Sequence, residues 1–167
     1  MEAALHLGFL AIIHDAQGYQ GGLLITNSWS RPLEFRLTAP VQPTRVHQVL
    51  YGATLRTYVL ADVIGKALMD KAATPVHLLV VDAFELLDLR RHLPVPVIWA
   101  KPMDQQAAAA GDDDLGWNWG GNALRASSAA DRDAAAGLLG RLGDADLLEP
   151  FGRVREALAE ARKRPAA

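Results

Sequence analysis

Residues 5–38 have the sequence LHLGFLAIIHDAQGYQGGLLITNSWSRPLEFRLT, and this stretch decides the fold. It contains three apolar runs, at Leu5–Ile13, Gly22–Thr26 and Pro32–Thr38. The polar clusters between them are rich in Gly, Asp, Asn and Ser, which favour turns. Short runs of β-forming residues separated by such clusters are typical of consecutive hairpins. The sequence therefore predicts an antiparallel three-stranded sheet here.

The next sixty residues predict two helices and two further strands. Apolar residues recur at helical spacing between Val46 and Leu68, with a break near Gly52, and Val76–Val81 is a short continuous apolar run. A strand that follows a helical crossover is expected to run parallel to the first strand. Asp82 is the expected N-cap of a second helix. Val95–Ala100 then adds a fifth strand. We predict an α/β fold with a mixed five-stranded sheet.

The chain changes character after this sheet. The run Gln105–Asp114 is acidic and of low complexity, which is typical of a solvated linker. We therefore predict a core domain at 1–101, an acidic, tryptophan-containing linker at 102–121 and a helical arm at 122–167. The arm is expected to dock on the core or on a partner.

Composition excludes several classes of protein. The net charge is −2 and there are no cysteines, so disulfides, thiolate catalysis and cysteine-ligated metals are excluded. The sequence opens Met1-Glu2 without the basic segment of a signal peptide, and no apolar run approaches the ~20 residues that cross a bilayer. Together with an Ala- and Arg-rich composition, this predicts a cytoplasmic bacterial protein with no membrane contact.

The order of elements over Leu5–Ala100 is similar to that of the ribonuclease H-like architecture. The resemblance implies that acidic residues from the first and fourth strands hold two Mg²⁺ ions for phosphodiester hydrolysis. Asp15 follows the first strand, Asp82 follows the fourth, and Asp62 lies on the intervening helix. These three aspartates are the candidate catalytic residues, and Mg²⁺ is the cofactor that this alternative requires.

The acidic pattern departs from that architecture, because Asp15 lies beyond its strand and the helix lacks a glutamate. A second candidate metal set is His14, Asp15 and His77, which the strand order could bring together. No histidine pair has the short spacing of a zinc motif. The main expectation is accordingly that the chain uses no cofactor.

The tryptophans of the linker and the last helix indicate protein interactions. An indole in a linker is expected to dock on its own domain or on a partner. The candidate partner-binding residues are Trp117, Trp119, Phe151 and Arg155. The sequence thus predicts a non-enzymatic scaffold or interaction subunit of a bacterial multi-protein system, with a protein partner or self-association, and with nucleic acid not expected as a partner. The alternatives are a metal-dependent nuclease and a small-molecule sensor that binds at the ends of the parallel strands.

Overall fold

The computed structural model describes residues 4–103 and 114–164 and contains a seven-stranded mixed sheet in the order β3-β2-β1-β4-β5-β7-β6. The strands are β1 His6–Asp15, β2 Gly18–Asn27, β3 Pro32–Leu37, β4 Leu78–Val81, β5 Val97–Pro102, β6 Gly116–Trp119 and β7 Asn122–Ala126. The α-helices are α1 Arg45–Tyr51, α2 Leu55–Thr57, α3 Lys66–Lys71, α4 Ala129–Leu139 and α5 Glu149–Lys163. Tyr58–Gly65 is a π-helix that joins α2 to α3, and Gly52–Thr54 and Phe84–His92 are 3₁₀ helices.

The α/β class is confirmed, but the predicted count of five strands is wrong. The first three strands are antiparallel, and β1, β4 and β5 run parallel. The two additional strands, β6 and β7, pair with each other, and β7 pairs with β5. They join through Gly120 and Gly121, both at positive φ, which suits a tight hairpin turn. Their residues fall in the segments that the sequence predicts as linker and arm.

Helices cover both faces of the sheet and enclose two apolar cores. On one face, α4 and α5 bury side chains such as Leu7 and Phe9 of β1. On the other face, the π-helix and the 3₁₀ helix bury Leu10 of β1 and Leu79 of β4. A strand covered on both faces is apolar at nearly every position, which explains the composition of β1. None of the helices in the described ranges is long and apolar enough to cross a membrane.

Two consecutive glycines in β2 let helices approach the sheet from opposite sides. A Cβ atom on Gly21 would lie 2.3 Å from Ile64 of the π-helix, and one on Gly22 would lie 2.7 Å from Val154 of α5. The second apolar run of the sequence begins at Gly22, whereas β2 already begins at Gly18. The glycines here permit close packing within a strand.

Apolar and charged residues alternate in the edge strand β3, which suggests that its apolar side chains face the core, but they are exposed. Leu33, Phe35 and Leu37 are 45%, 37% and 43% exposed. The side chain of Glu34 instead accepts hydrogen bonds from the backbone N–H groups of Ala73 and Thr74. A polar anchor to the loop before β4 therefore sets the orientation of this strand.

Candidate functional site

The candidate site lies where β1 and β4 end side by side. The ladder between these parallel strands pairs Leu10 with Val81, and the Asp82 N–H donates to the Leu10 carbonyl. The Ile12 N–H then donates to both carboxylate oxygens of Asp82, at 3.3 Å. Asp82 does not cap the following helix, whose N-cap is Ala83. Its carboxylate is directed into the sheet edge.

Arg155 of α5 is the charged partner of Asp82. Its Nη2 donates to Asp82 Oδ2 at 2.8 Å. The Asp82 side chain is 9% exposed and that of Arg155 is 49% exposed. Burial raises the pKa of the Asp82 carboxyl group, although Arg155 and the Ile12 N–H act in the opposite direction. The site therefore combines a desolvated carboxylate with a guanidinium that is half open to solvent.

A second arginine of α5 lies farther along the same edge. The Arg162 Nη1 pairs with Asp15, and its Nε donates to Gln20 Oε1 at 2.7 Å. The hydrogen bond from Arg162 is the main cause of the lowered pKa of Asp15. Both aspartates at the carboxyl end of β1 and β4 are thus bound by arginines from the last helix.

The structure does not bring the three candidate catalytic aspartates together. On the α5 face of the sheet, the neighbour of Asp82 on β1 is Ala11, which is fully buried. Asp15 lies four residues farther along β1. Asp62 is on the π-helix, on the other face, where it contacts His92 Nε2 at 3.0 Å.

The donor set does not fit a two-metal centre. Within residues 4–103 and 114–164, no group of three His, Cys, Asp or Glu side chains could hold a metal ion. Two-metal phosphodiester hydrolysis needs carboxylates that bridge ions about 4 Å apart. Here Asp82 is paired with an arginine, and the side chain beside it on β1 is a methyl group.

The second metal set is also separated. His14 and Asp15 lie at the carboxyl end of β1, where His14 stacks on Tyr19 at 3.8 Å between ring centroids. His77 precedes β4 at the opposite end, and its Nδ1 accepts from the His6 N–H at 3.0 Å. Because β1 and β4 are parallel, these histidines lie at opposite ends of the two strands.

The candidate partner-binding aromatics pack within the chain. Phe151 is 2% exposed and contacts Phe9 edge to face, with the ring centroids 6.0 Å apart. Trp117 and Trp119 lie on β6 and pack against the same core, where Arg132 lies over the Trp117 ring. Arg155 is the one member of the set that lies at the candidate site. Most of the run at 105–114, which the sequence predicts as a linker, lies outside the described residues.

Two site residues were not identified from the sequence. Gln20 lies in the polar segment between the first two apolar runs, and Arg162 lies in the predicted arm; neither is among the candidate site residues. The two residues lie 142 positions apart in sequence, and their side chains form a hydrogen bond in the fold. No local pattern signals such a pair, since it arises only when α5 is laid across β1 and β2.

Comparisons with known proteins find likeness in structure but none in sequence. No protein-family model matches the chain, and no curated protein matches it. A crystal structure of Ciona intestinalis endonuclease V, bound to a 23mer DNA containing an inosine followed by a ribo-adenosine, aligns with a TM-score of 0.58. The alignment has 8% identity and covers 96% of this chain and 86% of the endonuclease chain. The likeness shows a shared fold.

This likeness contradicts the prediction of a non-enzymatic scaffold or accessory subunit, because the fold is shared with an endonuclease over 96% of this chain. It also overturns the expectation that nucleic acid is not a partner, since the neighbour was solved with DNA. The alternative stated above, a nuclease, fits the likeness better. The error arose from treating missing motifs as evidence of an interaction role.

Proposed function

We propose that the chain acts on nucleic acid, and that it binds a DNA or RNA strand across the carboxyl edge of β1 and β4. The observation that carries the proposal is the pairing of Asp82 with the half-exposed Arg155 at this edge, in a fold shared with a DNA-bound endonuclease. Open α/β sheets generally bind their ligands outside the carboxyl ends of their strands.

Arg155 is suited to contact a phosphate. A guanidinium has five N–H donors, and Arg155 uses Nη2 for its hydrogen bond to Asp82. Its exposed part can therefore turn towards a phosphodiester oxygen while Asp82 fixes its position. Such contacts give affinity for a strand without reading its sequence.

The binding step involves no metal ion, since the carboxylates do not fit a two-metal centre. Asp82 and Asp15 are each neutralised by an arginine of this chain. Affinity should therefore persist when divalent cations are removed. It should fall as salt rises, because phosphate contacts release counterions.

Hydrolysis of the bound strand is the second candidate function, and the environment of Asp82 favours it. A carboxylate whose pKa is raised by burial is a better proton acceptor near neutral pH than an ordinary one. Arg155 lies against it and could stabilise negative charge on a phosphoryl group. Asp82 would then take a proton from a water whose oxygen forms a bond to phosphorus, while the bond from phosphorus to the leaving oxygen breaks and that oxygen takes a proton from solvent. Arg155 would stabilise the negative charge on the phosphoryl oxygens.

Fluorescence anisotropy with labelled single-stranded and duplex DNA and RNA tests the proposal, in EDTA and again in Mg²⁺. We expect saturable binding in both buffers and at least a tenfold loss in Arg155→Ala. Arg56→Ala is the matched control, because Arg56 is 48% exposed and pairs with Glu85 on the face of the sheet opposite α5. No binding by the intact chain, or equal losses in the two variants, would contradict the proposal.

The same samples, run on a denaturing gel, test the second candidate. Cleavage products that disappear in Asp82→Asn, with circular dichroism unchanged, would support hydrolysis. Binding without products in either buffer would leave the strand-binding function standing and exclude cleavage of these substrates.

A further inference from the structure

The turn between β2 and β3 presents an exposed tryptophan. Trp29 is 80% exposed, more than any other large apolar residue in the described ranges. An indole in water forfeits the burial that makes tryptophan stabilising, so this position adds nothing to the core.

The turn that holds Trp29 is braced from two sides. Asn27 Oδ1 accepts from the N–H groups of Trp29 and Arg31, at 2.9 and 3.0 Å. Ser30 has a φ of 64°, in the left-handed region that side chains other than glycine rarely adopt. From α5, Arg153 donates to the Ser30 carbonyl at 2.9 Å and also to its hydroxyl. The backbone that carries the indole is therefore held in place before any ligand arrives, which lowers the entropy lost on binding.

A cavity of about 580 Å³ opens between this turn and the loop before α5, and we call it the Trp29 pocket. Its polar lining includes Asp144, Asp146, Glu149 and Arg153. Asp146 is already engaged by the Leu148 and Glu149 N–H groups, and Glu149 by Arg153. Asp144 has no such hydrogen bond among the described residues. It is the carboxylate that a ligand can use.

We infer that the Trp29 pocket receives one unpaired base of the bound strand, with guanine preferred. This inference rests on the proposed function. The indole supplies a stacking face, which suits a base that is not buried in a duplex. The Asp144 carboxylate can accept N–H groups from the Watson–Crick edge, where guanine presents an imino and an amino donor side by side. Thymine and adenine lack that adjacent pair.

The pocket lies within reach of the strand that the Asp82 edge would bind. Asn27 pairs with His6 of β1, and Asp82 lies beside Ala11. His6 and Ala11 are five residues apart on β1, which corresponds to roughly 17 Å along the strand. Arg153 at the pocket and Arg155 beside Asp82 are two residues apart on α5, so their side chains leave the helix on opposite sides. A single strand of several nucleotides that crosses α5 can contact both sites.

The test measures anisotropy with a labelled oligothymidine and with the same oligonucleotide carrying one guanine. We expect tighter binding of the guanine-containing strand, about tenfold weaker binding in Trp29→Ala, and substantial recovery in Trp29→Phe. Asp144→Asn should remove the guanine preference. The controls are Leu50→Ala, which changes an equally exposed apolar residue, and Asp133→Asn, which changes an exposed acid on α4.

Two negative outcomes are distinguishable. If the chain binds DNA but Trp29→Ala matches Leu50→Ala, the base pocket is wrong and the proposed function stands. If the intact chain binds no oligonucleotide, the proposed function is wrong, and titration with guanosine monophosphate decides about the pocket. Quenching of tryptophan fluorescence that disappears in Trp29→Phe would support the pocket, and quenching in neither protein would overturn it.

Discussion

At the scale of a single residue, the surroundings of Asp82 disfavour its charged carboxylate form. Since burial raises its folded-state pKa above the ordinary 3.8, the folded chain binds more protons than the unfolded one just above that pH. Stability contributed by this group is therefore lost as pH rises through that window. We expect Asp82→Asn to equal or exceed the natural chain in free energy of unfolding at pH 7, with the difference shrinking as pH falls towards 4, measured by urea denaturation.

Asp82→Ala separates the charge from the hydrogen bond. It removes the acceptor of the Ile12 N–H, so we expect a loss of about 1 kcal/mol. A lower stability of Asp82→Asn at pH 7 would show that the carboxylate is structural, against the role proposed for it. Arg155 is half exposed and can be solvated by water when its partner is removed.

Glu34 behaves in the opposite way. The hydrogen bond from Arg36, followed by that from the Ala73 N–H, lowers the pKa of Glu34 from 4.5 to about 2. Its contribution to stability is present above pH 4.5 and is lost as pH falls towards 2. Glu34→Ala should therefore cost about 1 kcal/mol at pH 7 and little at pH 2, by thermal or urea denaturation. A pH-independent difference would contradict the role of the charge.

At the scale of secondary-structure elements, the approach of α5 to the sheet depends on Gly22. Alanine there would place a Cβ 2.7 Å from Val154, a branched side chain with little room to move. We expect Gly22→Ala to lower the free energy of unfolding by about 1–3 kcal/mol. Gly152→Ala is the control, because nothing lies within 4 Å of its added Cβ. It should be stabilising by roughly 0.5–1 kcal/mol, since alanine favours helix.

The elements that the sequence predicted well are those whose own residues specify them. The apolar runs behind β1, β4 and β5 are long enough to indicate buried strands. The hairpin of β6 and β7 has only short runs around Gly120-Gly121, and the pattern of β3 fits either face of a sheet. What decides the orientation of β3 is the hydrogen bond that the Ala73 N–H donates to Glu34, between groups 39 residues apart.

At the scale of the whole molecule, the segment after Pro102 is expected to be part of one cooperative unit. β7 covers the edge of β5, and α5 covers β1 and β2. A chain ended after Pro102 should expose the core that includes Phe9 and Leu7, associate on size-exclusion chromatography and lose its sharp thermal transition. A truncated chain that stays monomeric and melts like the full chain would support the division into a core at 1–101, a linker and an arm.

The candidate site could be predicted only in part, because it is a property of the whole fold. The placement of Asp82 after a buried strand identified one residue of the site from local pattern. Its partner Arg155 is 73 residues away in sequence, and the pair Asp15 and Arg162 is separated by 147. Only the crossing of α5 over the sheet brings these groups together.

The crossing of α5 over the sheet also affects how the protein folds during translation. The first strands leave the ribosome early, yet the helix that covers one of their faces is translated after residue 148. Throughout that interval, β1 and β2 carry a bare apolar face that invites association with other nascent chains. The same delay means that Asp82 and Asp15 receive their arginines only after α5 has been translated, so the site is completed after both strands have formed.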